Sequence, residues 1–178
     1  MRALVLVSGG LDSMVCLHYY KSLDHTVSAL FVDHGQPARR HELVAARHIA
    51  KHLAVELRTI EVTGVTVRLG EVMGRNGMLA MLALMSVEPG DQLIALGIHS
   101  GSHYRDCTVG FMASMQELYD VYTDGRVRIE APLLGLTKRN IIDYVEEHNL
   151  PFELTRSCDA GDSLPCGTCL SCAERGDR

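Results

Sequence analysis

The sequence predicts an α/β fold, a doubly wound parallel sheet with helices on both of its faces. Two observations support this prediction. Short apolar runs of strand length alternate with helix-length segments along the chain, which is typical of parallel sheets with crossover helices. The 178 residues, 47% hydrophobic and 22% charged, also suffice for one globular domain with a buried core. We therefore expect a single domain over residues 1–178.

Five runs have the length and composition of strands. Each is short, apolar or alternating, and bounded by polar or turn-forming residues. The expected strands are residues 3–7, 26–32, 55–62, 92–96 and 127–129. In parallel sheets ligands bind at the carboxyl ends of the strands, so the loops after the first, second and fourth strands are expected to form the site.

Five segments show the apolar spacing of helices. Thr137 is expected to cap the last of them at its N-terminus. Segment 78–87 is apolar almost all round, which predicts a buried helix. The eight methionines, several of them in 73–85, are expected to fill the core. The expected helices begin near Asp12 and cover 39–53, 78–87, 109–122 and 138–147.

The charge and hydropathy patterns exclude several classes of protein. The net charge of −5 and pI of about 6.0 argue against broad nucleic-acid binding. No apolar run approaches the roughly 18–20 residues of a membrane span. The N-terminal apolar run is too short for a secretory signal. We expect a cytoplasmic protein with no membrane partner.

A glycine-rich loop follows the first strand and opens the first helix. After Val7 it runs Ser8-Gly9-Gly10-Leu11-Asp12-Ser13. The glycines allow a tight turn and close backbone approach, and the N–H groups at a helix start favour an anion such as phosphate. Asp12 is a candidate Mg²⁺ ligand. The loop lacks the lysine of GxxxxGK[ST] and the spacing of GxGxxG, and a plain turn with no ligand is the alternative.

Four of the six cysteines crowd together near the C-terminus. Their spacing, Cys158-x7-Cys166-x2-Cys169-x2-Cys172, fits a closed Cys₄ zinc site, with an Fe–S cluster as the competing explanation. We expect segment 155–175 to form a zinc-binding knuckle that staples a segment poor in apolar residues. Cys16 and Cys107 stand alone and are expected to be small interior residues.

These two motifs together resemble the 7-cyano-7-deazaguanine synthase (QueC) family. This family belongs to the ATP pyrophosphatases, or PP-loop proteins, which have a Rossmann-like fold of the adenine nucleotide alpha hydrolase type. The loop from Ser8 to Ser13 resembles the pyrophosphate loop of this group. Further strings resemble family motifs: Phe31-Val32-Asp33-His34-Gly35-Gln36 before His41-Glu42, Gly74-Arg75-Asn76, Tyr104-Arg105-Asp106-Cys107, Pro132-Leu133-Leu134 with Lys138, and Thr155-Arg156-Ser157-Cys158.

The resemblance implies a function and a set of site residues. The reaction would convert 7-carboxy-7-deazaguanine and ammonia into the nitrile 7-cyano-7-deazaguanine, through adenylated intermediates that release AMP and pyrophosphate. The implied ligands are ATP, Mg²⁺ and Zn²⁺. ATP would be held by Val7, Ser8, Gly9, Gly10, Leu11, Asp12 and Ser13, with Asp12, Ser13 and Lys138 in catalysis. The substrate would be held by Gly74, Arg75, Asn76 and Asp106, the last reading a guanine-like edge. The resemblance leaves open whether the protein forms a homo-oligomer.

The chain also departs from the family pattern. Segments 62–74 and 97–104 are shorter, and Thr108 stands where the family has Arg. These departures leave open whether the reaction stops at the amide. His99 and His103 are further candidates for pocket groups. The alternatives are another PP-loop ligase or tRNA-modifying thiolase, and a non-catalytic zinc-knuckle module that only binds a nucleotide.

Overall fold

A computed structural model describes residues 1–64, 67, 72–99, 101 and 104–176. Five parallel strands form one sheet in the order β3-β2-β1-β4-β5. The strands are β1 (Arg2–Leu6), β2 (Thr26–Asp33), β3 (Glu56–Glu61), β4 (Asp91–Leu96) and β5 (Arg128–Glu130). The α-helices are α1 (Leu11–Ser22), α2 (Arg39–His52), α3 (Arg75–Met85), α4 (Val109–Thr123), α5 (Lys138–Glu147) and α6 (Leu170–Arg175). The predicted doubly wound α/β fold is confirmed.

Apolar side chains cover both faces of the sheet. Successive residues of a strand point to opposite faces, so β1 contributes Ala3 and Val5 to one apolar cluster and Leu4 and Leu6 to the other. The first cluster lies under α1, α2 and α5, and the second under α3 and α4. A sheet buried on both faces explains why β1, β2 and β4 are nearly continuous apolar runs.

Helix α5 begins as the sequence predicts. The side chain of Thr137 accepts a hydrogen bond from the backbone N–H of Asn140 at 3.2 Å, and Asn140 Oδ1 accepts from the backbone N–H of Thr137 at 3.0 Å. This reciprocal pair is a capping box. It fixes the start of α5, and therefore the position of Lys138, the first residue of the helix.

Helix α3 differs from its prediction as a wholly buried helix over 78–87. It begins earlier, at Arg75, and buries Ala80, Ala83 and Leu84, while Met85 is 80% exposed. Met73 is also 96% exposed, so these two methionines do not fill the core as expected. An apolar helix that packs on one face of a sheet keeps an outward side, and composition alone does not show which side that is.

Parts of the two shortened segments, and His103, lie outside the described residues. Within the described parts of the chain, no helix has both the length and the hydropathy needed to cross a membrane.

Candidate active site and metal centre

A cavity of about 270 Å³ opens at the carboxyl ends of the strands. Its walls come from the loop after β1, the end of β2, the start of α3, the end of β4 and the C-terminal segment. The strand order changes direction beside β1, where the chain turns first to β2 and later returns to β4, and ligands bind at such a point in open α/β sheets. The loops expected to form the site therefore meet around this cavity.

The two glycines of the loop after β1 have different roles. Gly9 has φ +86°, and a Cβ there would lie 2.4 Å from the backbone carbonyl oxygen of Glu42 on α2. Gly9 therefore allows close packing of the loop against α2. A Cβ at Gly10 would meet its nearest atom, Ser8 Oγ, at 3.4 Å, and Gly10 lines the cavity. Gly10 is therefore the position at which a ligand can approach the backbone.

Hydrogen bonds within the loop hold Ser8, Gly10 and Ser13 close together. The backbone N–H of Gly10 donates to Ser8 Oγ at 3.3 Å, and Ser13 Oγ donates to the carbonyl oxygen of Gly10 at 2.8 Å. In the described structure no side chain caps α1 at Gly10. The first N–H groups of a helix without such a cap can bind an anion. Ser8, Gly10, Asp12 and Ser13 all line the cavity.

Sequence reasoning overlooked Gly97, which supports this loop from the end of β4. A Cβ at Gly97 would lie 2.8 Å from the carbonyl oxygen of Asp12 and 3.0 Å from Cα of Ser13. The first turn of α1 therefore rests directly on the end of β4. The sequence did contain a signal for this contact, because Gly97 directly follows an apolar strand, where a glycine allows another segment to pack closely.

An ion pair joins two of the predicted catalytic residues. Lys138 Nζ donates to both carboxylate oxygens of Asp12, at 2.7 and 2.9 Å. His99 Nε2 lies 3.9 Å from the same carboxylate. Asp12 and Lys138 are 126 positions apart in sequence, and the fold places Lys138 beside Asp12 in the loop after β1. Within this pair, the ammonium group of Lys138 can bind a phosphate, and the carboxylate of Asp12 can bind a divalent cation.

The predicted substrate residues divide into two groups. Arg75 and Asn76 line the cavity. Gly74 and Asp106 do not appear among the described residues that line it. Asp106 Oδ2 accepts a hydrogen bond from the backbone N–H of Asn76 at 3.0 Å, and Asn76 Nδ2 donates to the carbonyl oxygen of Asp106 at 3.2 Å. In this structure the Asp106 carboxylate therefore caps the start of α3. Gly74 precedes that helix with φ +76°.

Sequence reasoning gave no role to a group of polar residues in the loop after β2 and the first turn of α2. Gln36 Nε2 donates to Glu42 Oε2 at 2.8 Å, and Gln36 Oε1 accepts from the backbone N–H of His34 at 2.9 Å. All three residues line the cavity. Burial lowers the pKa of His34 and raises the pKa of Glu42 to about 7. The string that continues to His41-Glu42 was visible in the sequence, but the burial of this carboxyl group was not.

The four clustered cysteines meet in space. Their Sγ atoms lie within 4.8 Å of one another, and those of Cys166 and Cys172 are 3.9 Å apart. The backbone N–H of each later cysteine donates to the sulfur of the one before it, at 3.3–3.4 Å. The backbone N–H groups of Thr168 and Cys169 lower the pKa of Cys166 to about 6. Burial raises the pKa of Cys169 and Cys172, so Cys166 is the one of these three that most favours the thiolate. The four residues form a set that can hold a metal ion.

The cysteine segment is part of the cavity wall and not merely an attachment to the domain. The backbone N–H of Arg156 donates to the carbonyl oxygen of Gly9 at 2.8 Å. A Cβ at Gly161 would lie 2.6 Å from the carbonyl oxygen of Pro37, so this segment also packs closely on the loop after β2. The residues that it adds to the lining include Arg156, Ser157, Asp159, Ser171 and Glu174.

Two solved structures share the fold. The crystal structure of a protein described as a predicted subunit of tRNA methyltransferase, from Methanocaldococcus jannaschii, has a TM-score of 0.54 and 12% identity, covering 88% of this chain and 92% of that one. NMN synthetase from Francisella tularensis has a TM-score of 0.54 and 18% identity, covering 88% of this chain and 65% of that one. At these identities the similarity concerns the fold alone.

Curated relatives named 7-cyano-7-deazaguanine synthase match nearly the whole chain. The Methanothermobacter thermautotrophicus protein is 29% identical, covering 98% of this chain and 92% of its own. The Paracoccus denitrificans protein is 31% identical, covering 98% and 87%, and the Prochlorococcus marinus (strain MIT 9515) protein is 33% identical, covering 97% and 91%. The alignments span 203 to 206 positions, more than the 178 residues here, so the relatives contain internal segments that this chain lacks.

The family described as "Queuosine biosynthesis protein QueC" matches residues 2–71 and 65–177. The two matches meet at 65–71, inside a segment that the sequence suggests is shortened. The match includes the loop after β1 and all four clustered cysteines, the same two motifs on which the resemblance was based. The chain belongs to the QueC family.

Proposed function

We propose that this protein is an ATP-dependent synthase that adenylates the carboxylate of 7-carboxy-7-deazaguanine and uses ammonia to convert it, through the amide, into 7-cyano-7-deazaguanine. The observation that carries the proposal is the convergence of the loop from Ser8 to Ser13 and the Asp12–Lys138 pair on one cavity, in a chain of the QueC family. The names of the curated relatives supply the product.

The residues of the cavity suit the adenylation step. The N–H groups at the start of α1 and the hydroxyls of Ser8 and Ser13 would hold the departing pyrophosphate. Lys138 would neutralise charge on the phosphate under attack. The substrate carboxylate attacks the α-phosphorus of ATP, the bond to the β-phosphate oxygen breaks, and pyrophosphate leaves. Arg75, which also lines the cavity, would bind the carboxylate before it reacts.

Two metal ions fit the residues present. Mg²⁺ would be held by Asp12 together with ATP phosphates, where it would neutralise phosphate charge. Zn²⁺ fits the cysteine cluster, because a tetrahedron with zinc–sulfur bonds of about 2.3 Å has edges of about 3.8 Å, close to the observed Cys166–Cys172 separation. An Fe–S cluster is a larger body and would place its cysteine ligands farther apart.

The test is an incubation with ATP, Mg²⁺, ammonium and 7-carboxy-7-deazaguanine, followed by mass spectrometry of the base and chromatography of the nucleotides. We expect the nitrile, AMP and pyrophosphate. An amide as final product would support the adenylation of the carboxylate but show that the reaction stops before the nitrile. ADP with phosphate would contradict the proposal. AMP formed equally well with unrelated acids would favour another PP-loop ligase, and no turnover with any acid would favour a nucleotide-binding module.

A further inference from the structure

The carboxyl group of Glu42 lies in the same cavity as the loop after β1, and the proposed function gives it no role in holding ATP. Glu42 lies in the first turn of α2, the turn against which Gly9 packs. The residue as a whole is partly exposed, but burial is the largest influence on its carboxyl group, which contacts Gln36 in the loop after β2. This places an acid–base group next to the loop where the acyl adenylate would form.

Gln36 fixes the orientation of this carboxyl group. Its amide oxygen accepts from the backbone N–H of His34, which leaves its amide nitrogen to donate to Glu42 Oε2 at 2.8 Å. Among the described residues no donor contacts the second oxygen, Oε1. Glu42 therefore has one oxygen held in place and one free to take a proton in the cavity.

The charges around Glu42 favour a small cation. The charged groups that influence it are Asp33 at the end of β2, Arg75 at the start of α3 and Asp159 in the C-terminal segment. The guanidinium of Arg39 also lies 3.7 Å from Asp33, so three carboxyl groups lie near two guanidinium groups, and this balance still attracts a cation. They are not a metal site, because the described groups of three or more ligand atoms comprise the four cysteines alone. An ammonium ion, which needs scattered acceptors and not a tight ligand shell, fits this part of the cavity.

We propose that Glu42 is the catalytic base that converts bound ammonium into the ammonia nucleophile, an inference that rests on the proposed function. Ammonium gives one proton to the Glu42 carboxylate. The nitrogen lone pair of the resulting ammonia attacks the carbonyl carbon of the acyl adenylate. The bond from that carbon to the AMP oxygen breaks, AMP leaves with the electron pair, and the nitrogen loses a second proton to water to give the amide. Gln36 is a positioning residue for this step.

The raised pKa of Glu42 agrees with this role. Burial, the largest cause, raises it to about 7, and the hydrogen bond from Gln36 opposes that rise. A base works best when its pKa lies near the working pH. Above that pKa the carboxylate is ionised and takes the proton, and below it the step stops.

The test compares two nucleophiles in Glu42→Gln, which keeps the acceptor for Gln36 but cannot take a proton. Ammonium is mostly protonated at neutral pH, whereas hydroxylamine is mostly neutral and needs no base to become a nucleophile. We expect amide formation from ammonium to fall about 100-fold or more. Hydroxamate formation from hydroxylamine, and pyrophosphate release in a single turnover without either amine, should stay close to wild type. Glu147→Gln, on the exposed end of α5, is the matched control.

The pH profiles provide a second readout. At fixed total ammonium, the wild-type rate should level off above about pH 7 as Glu42 becomes fully ionised, whereas the Glu42→Gln rate should keep rising with the free ammonia in solution. Gln36→Met removes the donor that favours the ionised form, so the rising limb should move to higher pH.

Equal amination by Glu42→Gln and wild type, or equal loss with both nucleophiles, would overturn the assignment of Glu42. A wild type that releases no pyrophosphate with this acid would instead overturn the proposed function beneath it.

Discussion

The loop after β1 and the C-terminal cysteine segment border the same cavity, but they owe their shapes to different forces. The loop lies between a buried strand and a buried helix, and both ends are anchored in the apolar cluster that contains Val5, Val7 and Leu11. The only buried residues of segment 156–176 are Cys158 and Cys172, so this segment adds no aliphatic or aromatic side chain to the core. The loop is shaped by packing, whereas the cysteine segment depends on its four sulfurs.

Their contact couples the two regions. The hydrogen bond from Arg156 N–H to the carbonyl oxygen of Gly9 connects the cysteine segment to the loop after β1. Arg156 also donates to the backbone oxygens of Asp162, Ser163 and Leu164, so it holds the shape of the turn between the first and second cysteines. Loss of order in the cysteine segment would therefore reach the cavity, although the sheet would remain.

The largest expected effect is that of removing a cysteine ligand. Cys172→Ala should abolish the binding of about one zinc per chain and lower the free energy of unfolding by roughly 4 kcal/mol or more, because metal binding at a closed site stabilises the folded state. ATP affinity should fall with it, since the cavity loses a wall. Elemental analysis, thermal unfolding and ATP titration measure the three effects.

Cys16→Ala is the control for this experiment. Cys16 is completely buried in α1, away from the cluster, so its removal should cost about 1 kcal/mol of packing and leave the zinc content unchanged. Iron with sulfide in the purified protein, or a Cys172→Ala variant as stable as Cys16→Ala, would refute dependence of this segment on zinc.

The second prediction separates the two glycines of the loop. Gly9→Ala should destabilise the fold by about 1–3 kcal/mol, because φ +86° is strained for alanine and its Cβ would collide with the Glu42 carbonyl. Gly10→Ala should leave thermal stability nearly unchanged, since its Cβ would meet neighbouring atoms at ordinary contact distances, yet weaken ATP binding because the methyl group occupies the cavity side of the loop. Thermal unfolding and ATP titration of both variants decide this. An equal loss of stability in both variants would contradict this separation and show that the two glycines are equally constrained by packing.

The positions of the loop after β1 and of the cysteine segment could be predicted from the sequence, but the contacts between them could not. The strand–loop–helix pattern predicted the position of Ser8 to Ser13, and Thr137 predicted the start of α5, because both depend on neighbours close in sequence. Spacing likewise predicted a four-cysteine set. The contacts of Gly9 with α2 and of Arg156 with Gly9 join segments far apart in the chain, and no local pattern encodes them. The sequence therefore predicted the zinc-binding knuckle but not that it forms a wall of the cavity.

The third prediction concerns the Asp12–Lys138 pair. Lys138→Met should reduce AMP formation by on the order of 100-fold, because it removes the cation from the reacting phosphates. Asp12→Asn keeps the size of the side chain and should spare the fold while lowering turnover through loss of a Mg²⁺ ligand. The measurements are steady-state AMP release and its dependence on Mg²⁺. Arg139→Met, beside Lys138 but exposed and paired with Asp143, is the control and should behave as wild type. A large loss of stability in Asp12→Asn would instead make the pair structural.

The smallest expected effect tests whether Asp106 belongs to the site at all. The sequence suggests that Asp106 reads a guanine-like edge, whereas in the structure its carboxylate accepts from the backbone N–H of Asn76 at the start of α3. If capping is its role, Asp106→Ala should cost about 1 kcal/mol of stability, as for other helix N-caps, and Asp106→Asn, which keeps an acceptor oxygen, should cost less. KM for the deazaguanine acid should change little in Asp106→Asn. A large rise in that KM with unchanged thermal stability would mean that the carboxylate leaves α3 to bind the substrate. Because Asn76 lines the cavity while Asp106 holds its backbone, Asp106→Ala should also disturb Asn76, so the Asn variant is the one that decides between the two roles.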